Sequence, residues 1–137
     1  MNFKAKRIMK PNVLDSSAWL ECLDDGPNTE HFSPILSKLP ELIVPSIVIT
    51  EVRKVILAQR STDAADTVTD TMLSTVVIEI DSTIATHAAD LFMKYKLPLA
   101  DSIIYAVTLA QRATLWTQDS HFNGLPHVKY FPKVKRT

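Results

Sequence analysis

The stretch that decides the fold is Asn-Val-Leu-Asp-Ser-Ser-Ala-Trp-Leu-Glu, residues 12–21. Val13 and Leu14 form a short apolar run that stops at Asp15 and the two serines after it. A short apolar run bounded by polar turn formers is typical of a buried strand, and Asp or Ser favours a helix start. Because the apolar residues over 18–23 then continue at helical spacing, the stretch predicts a strand followed directly by a helix.

The same alternation recurs along the rest of the chain. Residues 42–44 form a second apolar run, closed by Pro45, and Ser46 is placed to cap a helix that runs to about Arg60. The further expected elements are a helix over 63–74, a strand over 76–80, helices from 82 and 98, and strands at 115–116 and 128–131. Alternating strands and helices predict an α/β fold with three layers, α/β/α, around a mainly parallel central sheet.

The length of 137 residues predicts a single domain over 1–137. Fifteen basic residues balance 15 acidic ones, so net charge does not favour nucleic acid as a partner. The basic residues are nevertheless concentrated in an N-terminal arm over 1–11 and a C-terminal tail over 132–137. The length of the arm depends on whether translation starts at Met1 or at Met9.

Composition excludes several classes of protein. A content of 46% hydrophobic and 22% charged residues is typical of soluble globular proteins, and no apolar run approaches the roughly 18 residues that suggest a membrane span. With only Gly26 and Gly124, neither a P-loop nor a dinucleotide-binding glycine motif can form. Cys22 has no cysteine partner and no secretory signal is visible, so we expect a cytoplasmic protein.

Three acidic residues occupy positions where a parallel sheet would bring them together. Asp15 ends the first strand, Asp119 follows the strand at 115–117, and Asp101 lies in the first turn of the helix that begins at Pro98. Ligands of open parallel sheets bind outside the carboxyl ends of the strands. We therefore expect these three side chains to converge.

Glu51 is expected to join them from the second predicted helix. It falls on the same helical face as the apolar Ile47, Val48 and Val55, so its side chain should point inward. A buried carboxylate is costly unless it is protonated, paired or bound to a metal. A set of oxygen ligands favours Mg²⁺ or Mn²⁺ over zinc, which makes a divalent cation the simplest partner for these acids.

Each acid taken singly also has a purely structural explanation. Asp101 could complement the dipole of its helix, and Asp119 could form an Asx turn with the residues after it. Asp15 could cap the first helix, with Ser16 or Ser17 as competitors. Only the convergence of all four at one edge of the sheet favours a functional site.

Four segments in chain order resemble the acidic motifs of PIN-domain nucleases. They are residues 12–21, Ile-Val-Pro-Ser-Ile-Val-Ile-Thr-Glu-Val at 43–52, Leu-Pro-Leu-Ala-Asp-Ser-Ile-Ile-Tyr-Ala at 97–106, and Leu-Trp-Thr-Gln-Asp-Ser-His-Phe at 115–122. The resemblance covers nearly the whole chain and is strongest to the VapC-like toxins of bacterial and archaeal toxin–antitoxin pairs.

The resemblance assigns four acids to catalysis and to binding Mg²⁺ or Mn²⁺: Asp15, Glu51, Asp101 and Asp119. It also implies that Ser16 lies near the metal or its waters and that Thr117 lies close to the site. Some relatives carry a further acid where this chain has His121, and we expect this histidine to contact phosphate instead.

The activity implied by the resemblance is hydrolysis of RNA by a metal-dependent endoribonuclease. The protein would be a toxin that inhibits translation by cleaving a structured RNA such as tRNA, leaving a 5′-phosphate and a 3′-hydroxyl. A homodimer and a cognate antitoxin that blocks the site are implied as well. The candidates for contacts with RNA phosphates are Lys4, Lys6, Arg7, Lys10, Arg53, Lys54 and Arg112. The alternative is a non-catalytic PIN-like module that binds RNA or a protein.

Overall fold

Five short parallel strands form one sheet in the computed structural model of the protein, which describes residues 10–135. The strands are β1 (Asn12–Leu14), β2 (Leu42–Pro45), β3 (Val76–Ile78), β4 (Thr114–Thr117) and β5 (Val128–Tyr130). Their spatial order is β3-β2-β1-β4-β5, and every neighbouring pair is parallel. The order reverses between β1 and β4, which is where open parallel sheets bind ligands. The predicted α/β class and parallel sheet are confirmed.

Six helices connect and cover the strands. They are α1 (Ser16–Leu23), α2 (Thr29–Leu36), α3 (Ser46–Gln59), α4 (Thr62–Leu73), α5 (Ser82–Tyr95) and α6 (Leu99–Ala110), with 3-10 turns at Leu39–Glu41 and Ser120–Phe122. Side chains at Asp15, Ser61 and Asp81 cap α1, α4 and α5 by accepting hydrogen bonds from backbone N–H groups three residues later. Local polar residues therefore determine where these three helices begin.

Helix α2 is the element that the sequence did not predict. It has only eight residues, contains Pro34 in its interior and has no side-chain hydrogen bond at its N-cap. Each of these features weakens an isolated helix. The helix forms because Phe32 and Ile35 are buried in the core, at 0% and 7% exposure. Tertiary packing therefore outweighs the weak local signal.

Two strands are shorter than predicted. β3 ends at Ile78, so Ile80 lies outside it, and β5 ends at Tyr130. The N–H of Phe131 still donates to the carbonyl of Thr117 at 2.9 Å. Of the two predicted basic ends, residues 1–9 of the arm and 136–137 of the tail lie outside the described residues.

The centre of the sheet is buried on both faces. Val13 and Leu14 of β1 are both fully buried, and successive residues of a strand point to opposite faces. The four residues of β2 are buried as well, as expected for parallel strands covered on both sides. No helix within residues 10–135 combines the length and the apolar character needed to cross a bilayer.

Candidate active site

The four predicted acids meet outside the carboxyl ends of β1 and β4. Asp15 directly follows β1, Asp119 lies two residues beyond β4, and Asp101 is in the first turn of α6. Glu51 comes from α3, the helix that follows β2. The negative charges of Asp119, Asp15 and Glu51 all act on the carboxyl group of Asp101. The structure thus brings together side chains that are far apart in sequence.

Asp15 has a structural and an electrostatic role at once. Its Oδ1 accepts hydrogen bonds from the N–H of Ala18 at 3.0 Å and from Oγ of Ser17 at 2.7 Å, and its Oδ2 accepts one from Oγ1 of Thr117 at 2.6 Å. Burial raises the pKa of Asp15 to about 6, although these three donors lower it. Asp15 therefore caps α1, as its structural explanation expected, and is also held rigidly at the acid cluster.

Asp101 is electrostatically the most perturbed of the acids. Burial, followed by the charges of Asp119, Asp15 and Glu51, raises its pKa to about 7. A like-charged neighbour disfavours ionisation, so the cluster holds a proton near neutral pH unless a cation replaces it. This behaviour is typical of carboxylates arranged around a metal site.

Glu51 has a buried oxygen that no group of the described residues satisfies. Its side chain is half-buried, and its Oε1 has no hydrogen-bond partner. A buried polar atom without a partner costs about 1–3 kcal/mol, and more when the group is charged. The inward orientation predicted from the helical face of Glu51 agrees with this position. The orphaned oxygen indicates that the site is built for a further ligand.

His121 lies against two of the acids. Its Nδ1 is 2.8 Å from Oδ1 of Asp119 and 3.5 Å from Oδ2 of Asp101, and its backbone N–H donates to Oδ1 of Asp119. One potential ligand atom from each of these three residues lies within 4.8 Å of the other two. Because Nδ1 is engaged by carboxylates, the phosphate contact expected of His121 could be made only through Nε2.

Two hydroxyl groups link the ends of β1 and β4. Thr117 is fully buried, donates to Asp15 and accepts from the N–H of Asp119 at 2.9 Å. The second hydroxyl is that of Ser17, and the proximity of Ser16 to the metal or its waters, which the resemblance implies, stays a prediction. Among the described contacts, the Ser16 side chain makes no hydrogen bond to the acids. The signal for Ser17 was its position as a possible cap of α1.

The donor set fits a hard divalent cation. It consists of four carboxylates, one of which has an unsatisfied buried oxygen and two of which have raised pKa values. Within residues 10–135, no lysine or arginine forms an ion pair with any of the four acids. Carboxylate oxygens without nearby basic side chains favour Mg²⁺ or Mn²⁺.

Some of the basic residues expected at the rim lie elsewhere. Arg112 follows the C-terminal end of α6, whereas Asp101 is in its first turn, and a helical rise of about 1.5 Å per residue separates the two by about 16 Å. Lys10 precedes β1 and therefore lies at the amino ends of the strands, the edge of the sheet opposite the acids. The prediction that these two residues line the site is therefore wrong. Arg53 is engaged by Asp66 and Thr69, both at 2.9 Å, whereas Lys54 is exposed.

Several solved structures share the fold of this chain. A toxin–antitoxin complex from Klebsiella pneumoniae matches with a TM-score of 0.74 at 22% identity, covering 90% of this chain and 99% of that one. VapBC2 from Rickettsia felis, bound to a DNA fragment from its promoter, matches with a TM-score of 0.68 at 15% identity, covering 89% and 98%. At these identities the matches establish the fold.

A third similar structure is VapC20 of Mycobacterium tuberculosis, described as a Sarcin-Ricin loop cleaving toxin. It matches with a TM-score of 0.71 at 15% identity, covering 84% of this chain and 95% of that one. A search of curated protein sequences finds no match. The family model of the PIN domain matches residues 13–128, which is most of the chain. This chain therefore belongs to the PIN domain family, as the four acidic motifs predicted.

Proposed function

We propose that this protein is a metal-dependent endoribonuclease that hydrolyses phosphodiester bonds of RNA. The observation that carries the proposal is the convergence of four carboxylates at the β1/β4 reversal, with a buried Oε1 of Glu51 that has no partner. Membership of the PIN domain family supports a nuclease. The four acids are those that the resemblance to PIN-domain nucleases assigns to catalysis.

Asp15, Glu51, Asp101 and Asp119 would hold Mg²⁺ or Mn²⁺. When bound, the cation would polarise the phosphate, lower the pKa of a coordinated water and stabilise charge on the phosphoryl oxygens. Thr117 and Ser17 keep Asp15 oriented through their hydrogen bonds, so the carboxylate does not have to reorganise when a ligand arrives. The contact between His121 and Asp119 holds the fourth acid in the same way.

The substrate we propose is a structured RNA such as tRNA, cut to leave a 5′-phosphate and a 3′-hydroxyl. A cluster of acids repels a polyanion, so binding requires basic residues at its rim. Lys54 is exposed one helical turn from Glu51. Lys133 and Lys135 follow β5 at its carboxyl end. The acids also lie outside the carboxyl ends of strands, those of β1 and β4. The similar structure VapC20, a toxin described as cleaving the Sarcin-Ricin loop, supports a structured RNA target.

We further propose that the protein is a cytoplasmic toxin, a homodimer whose site a cognate antitoxin covers. Leu99 is 68% exposed only two residues before Asp101, and Met93 and Phe92 are exposed near the end of α5. An apolar rim beside an acid cluster suits a protein partner that excludes water from the site. Light scattering should show a dimer at micromolar concentration, and the purified antitoxin should abolish cleavage by the wild type but inhibit Leu99→Ser less strongly.

The test of the proposed activity is cleavage of total RNA by purified protein freed of any partner, with Mg²⁺ or Mn²⁺ added. The variants are Asp15→Asn and Asp101→Asn, and Asp70→Asn is the matched control because Asp70 is exposed on α4. We expect discrete cuts with the wild type and the control, and none with either site variant or with EDTA. Activity that survives in the site variants would refute the assignment. Tight RNA binding without cleavage would favour a non-catalytic module.

A further inference from the structure

Two buried amide side chains lie directly behind the acid cluster. Asn28 is 4% exposed and Gln118 is 7% exposed, and Gln118 stands between Thr117 and Asp119 in sequence. Nδ2 of Asn28 donates to Oε1 of Gln118 at 3.0 Å and to the carbonyl of Pro132 at 2.9 Å. Side chains of these types are mostly exposed, and a buried one usually has a specific set of partners. Here the amide of Asn28 joins the end of β4 to the segment that follows β5.

The side chain of Asn28 makes these contacts and does not cap the helix that follows it. It occupies the N-cap position of α2, where an Asn side chain normally accepts a hydrogen bond from the helix. Its side chain makes no such bond, although a good cap is worth about 1 kcal/mol. The contacts with Gln118 and Pro132 therefore take the place of a stabilising interaction that was available locally.

Glu21, in α1, accepts hydrogen bonds from both Asn28 and Gln118. Its Oε2 accepts a hydrogen bond from the N–H of Asn28 at 2.8 Å, and its Oε1 accepts one from Nε2 of Gln118 at 3.4 Å. A Cβ atom added at Gly26 would overlap the Glu21 carboxylate, so an alanine there would displace this side chain. The carboxylate thus lies in a close-fitting niche made by Gly26, Asn28 and Gln118.

Hydrogen bonds connect Gln118 to the acid cluster. The N–H of Gln118 donates to Oγ of Ser17 at 3.3 Å, and this hydroxyl donates to Oδ1 of Asp15 at 2.7 Å. The N–H of Asp119, the next residue, donates to Oγ1 of Thr117 at 2.9 Å. Gln118 is therefore held through both its backbone and its side chain, at the point where the chain passes from Thr117 to Asp119.

We propose that Asn28 and Gln118 are positioning residues that fix the separation of Asp15 and Asp119. Their described side-chain hydrogen bonds go to each other, to Glu21 and to Pro132, and they act by holding the backbone that carries Thr117 and Asp119. The proposal rests on the proposed function in that the acids are taken as metal ligands. Groups that orient the ligands of a metal are worth about 10- to 100-fold in metal affinity.

The most informative variant is Gln118→Glu. It keeps the size of the side chain and can still accept from Asn28, but it places a carboxylate against that of Glu21. Combining it with Glu21→Gln exchanges donor and acceptor, because the amide at position 21 can then donate to the carboxylate at position 118. Gln118→Glu lowers the net charge by one and Glu21→Gln raises it by one, so the double variant has the wild-type net charge and should restore the contact. Gln59→Glu, on the exposed end of α3, is the matched control.

The affinity for Mn²⁺ is measured by calorimetry on RNA-free protein at pH 8, together with the exchange rate of the Asp119 amide hydrogen. We expect Gln118→Glu to weaken Mn²⁺ binding by about 10-fold and to speed exchange at Asp119. The double variant should recover most of both losses, and Gln59→Glu should match the wild type. Gly26→Ala is the second variant, and it should produce the same loss by displacing the Glu21 carboxylate without removing any polar group.

The proposal is overturned if Gln118→Glu and Gly26→Ala lower the melting temperature while Mn²⁺ affinity and Asp119 exchange stay at the wild-type values. That result would assign a purely structural role to the two amides. Wild-type protein that binds Mn²⁺ but cuts no RNA would refute the nuclease and leave the positioning role supported by the same titrations. A wild type that binds no Mn²⁺ would refute both.

Discussion

The hydroxyl of Thr117 donates a hydrogen bond of 2.6 Å to Oδ2 of Asp15, across 102 residues of sequence. The bond joins the carboxyl ends of β1 and β4, the two strands between which the order of the sheet reverses. Both residues are buried, so water cannot replace either partner. The contact therefore contributes to the stability of the sheet and to the orientation of the acid cluster.

Replacing Thr117 by Val should destabilise the protein by about 1–3 kcal/mol, because Asp15 loses a buried donor and the N–H of Asp119 loses its acceptor. Thr117→Ser keeps the hydroxyl and should cost less. Urea denaturation of the metal-free protein measures the difference. A larger loss in Thr117→Ser than in Thr117→Val would show that packing of the methyl group, and not the hydrogen bond, is what matters.

The metal-free protein should lose stability as pH rises. The pKa values of Asp15 and Asp101 are about 6 and about 7 in the folded protein, against 3.8 for an unperturbed Asp. Over this interval the folded state binds more protons than the unfolded chain, so the free energy of unfolding falls from about pH 4 to about pH 7. We expect a lower melting temperature at pH 8 than at pH 5 in the presence of EDTA.

Millimolar Mg²⁺ should raise the melting temperature at pH 8 and change it little at pH 5, where protons compete for the same carboxylates. Thermal unfolding followed by circular dichroism gives both comparisons. A melting temperature that is constant from pH 5 to pH 8 without metal would contradict the raised pKa values.

Asp101→Asn should stabilise the metal-free protein at pH 8 while abolishing activity. The neutral amide removes a charge that burial, Asp119, Asp15 and Glu51 all disfavour. We expect its melting temperature to exceed that of the wild type by a few degrees in EDTA at pH 8, and by less at pH 5. Calorimetry should show weaker Mn²⁺ binding in the same variant. A variant that melts below the wild type at pH 8 would argue against electrostatic strain at this position.

Lys54 should contribute to RNA binding and Arg112 should not. Lys54 is exposed on the helix that carries Glu51, whereas Arg112 lies at the opposite edge of the sheet. In an Asp101→Asn background, which prevents cleavage, Lys54→Ala should weaken RNA binding and reduce the slope of log K against log salt by about 1. Arg112→Ala should change neither quantity. The reverse result would place the RNA at the other edge of the sheet.

The positions of the acids could be predicted because the strands and helices that carry them have local signals, although no acid taken singly identifies a site. Asp15 and Asp119 follow short apolar runs that are typical of buried strands, and Glu51 shares its helical face with apolar residues. A parallel sheet then brings strand ends together whatever the details of packing. The supporting residues had no such signal. Asn28 lies in a loop of turn formers, and its amide partner Gln118 is 90 residues away.

Hydrophobic periodicity and residues close together along the chain were enough to predict every strand and every helix except α2, the parallel sheet and the acidic residues at its carboxyl edge. The formation of α2 despite Pro34, the hydrogen bond from Ser17 to Asp15 and the distance of Arg112 from the acids follow only from the tertiary structure. These features depend on which distant segments pack together, and burial and hydrogen bonding between them outweigh local preference.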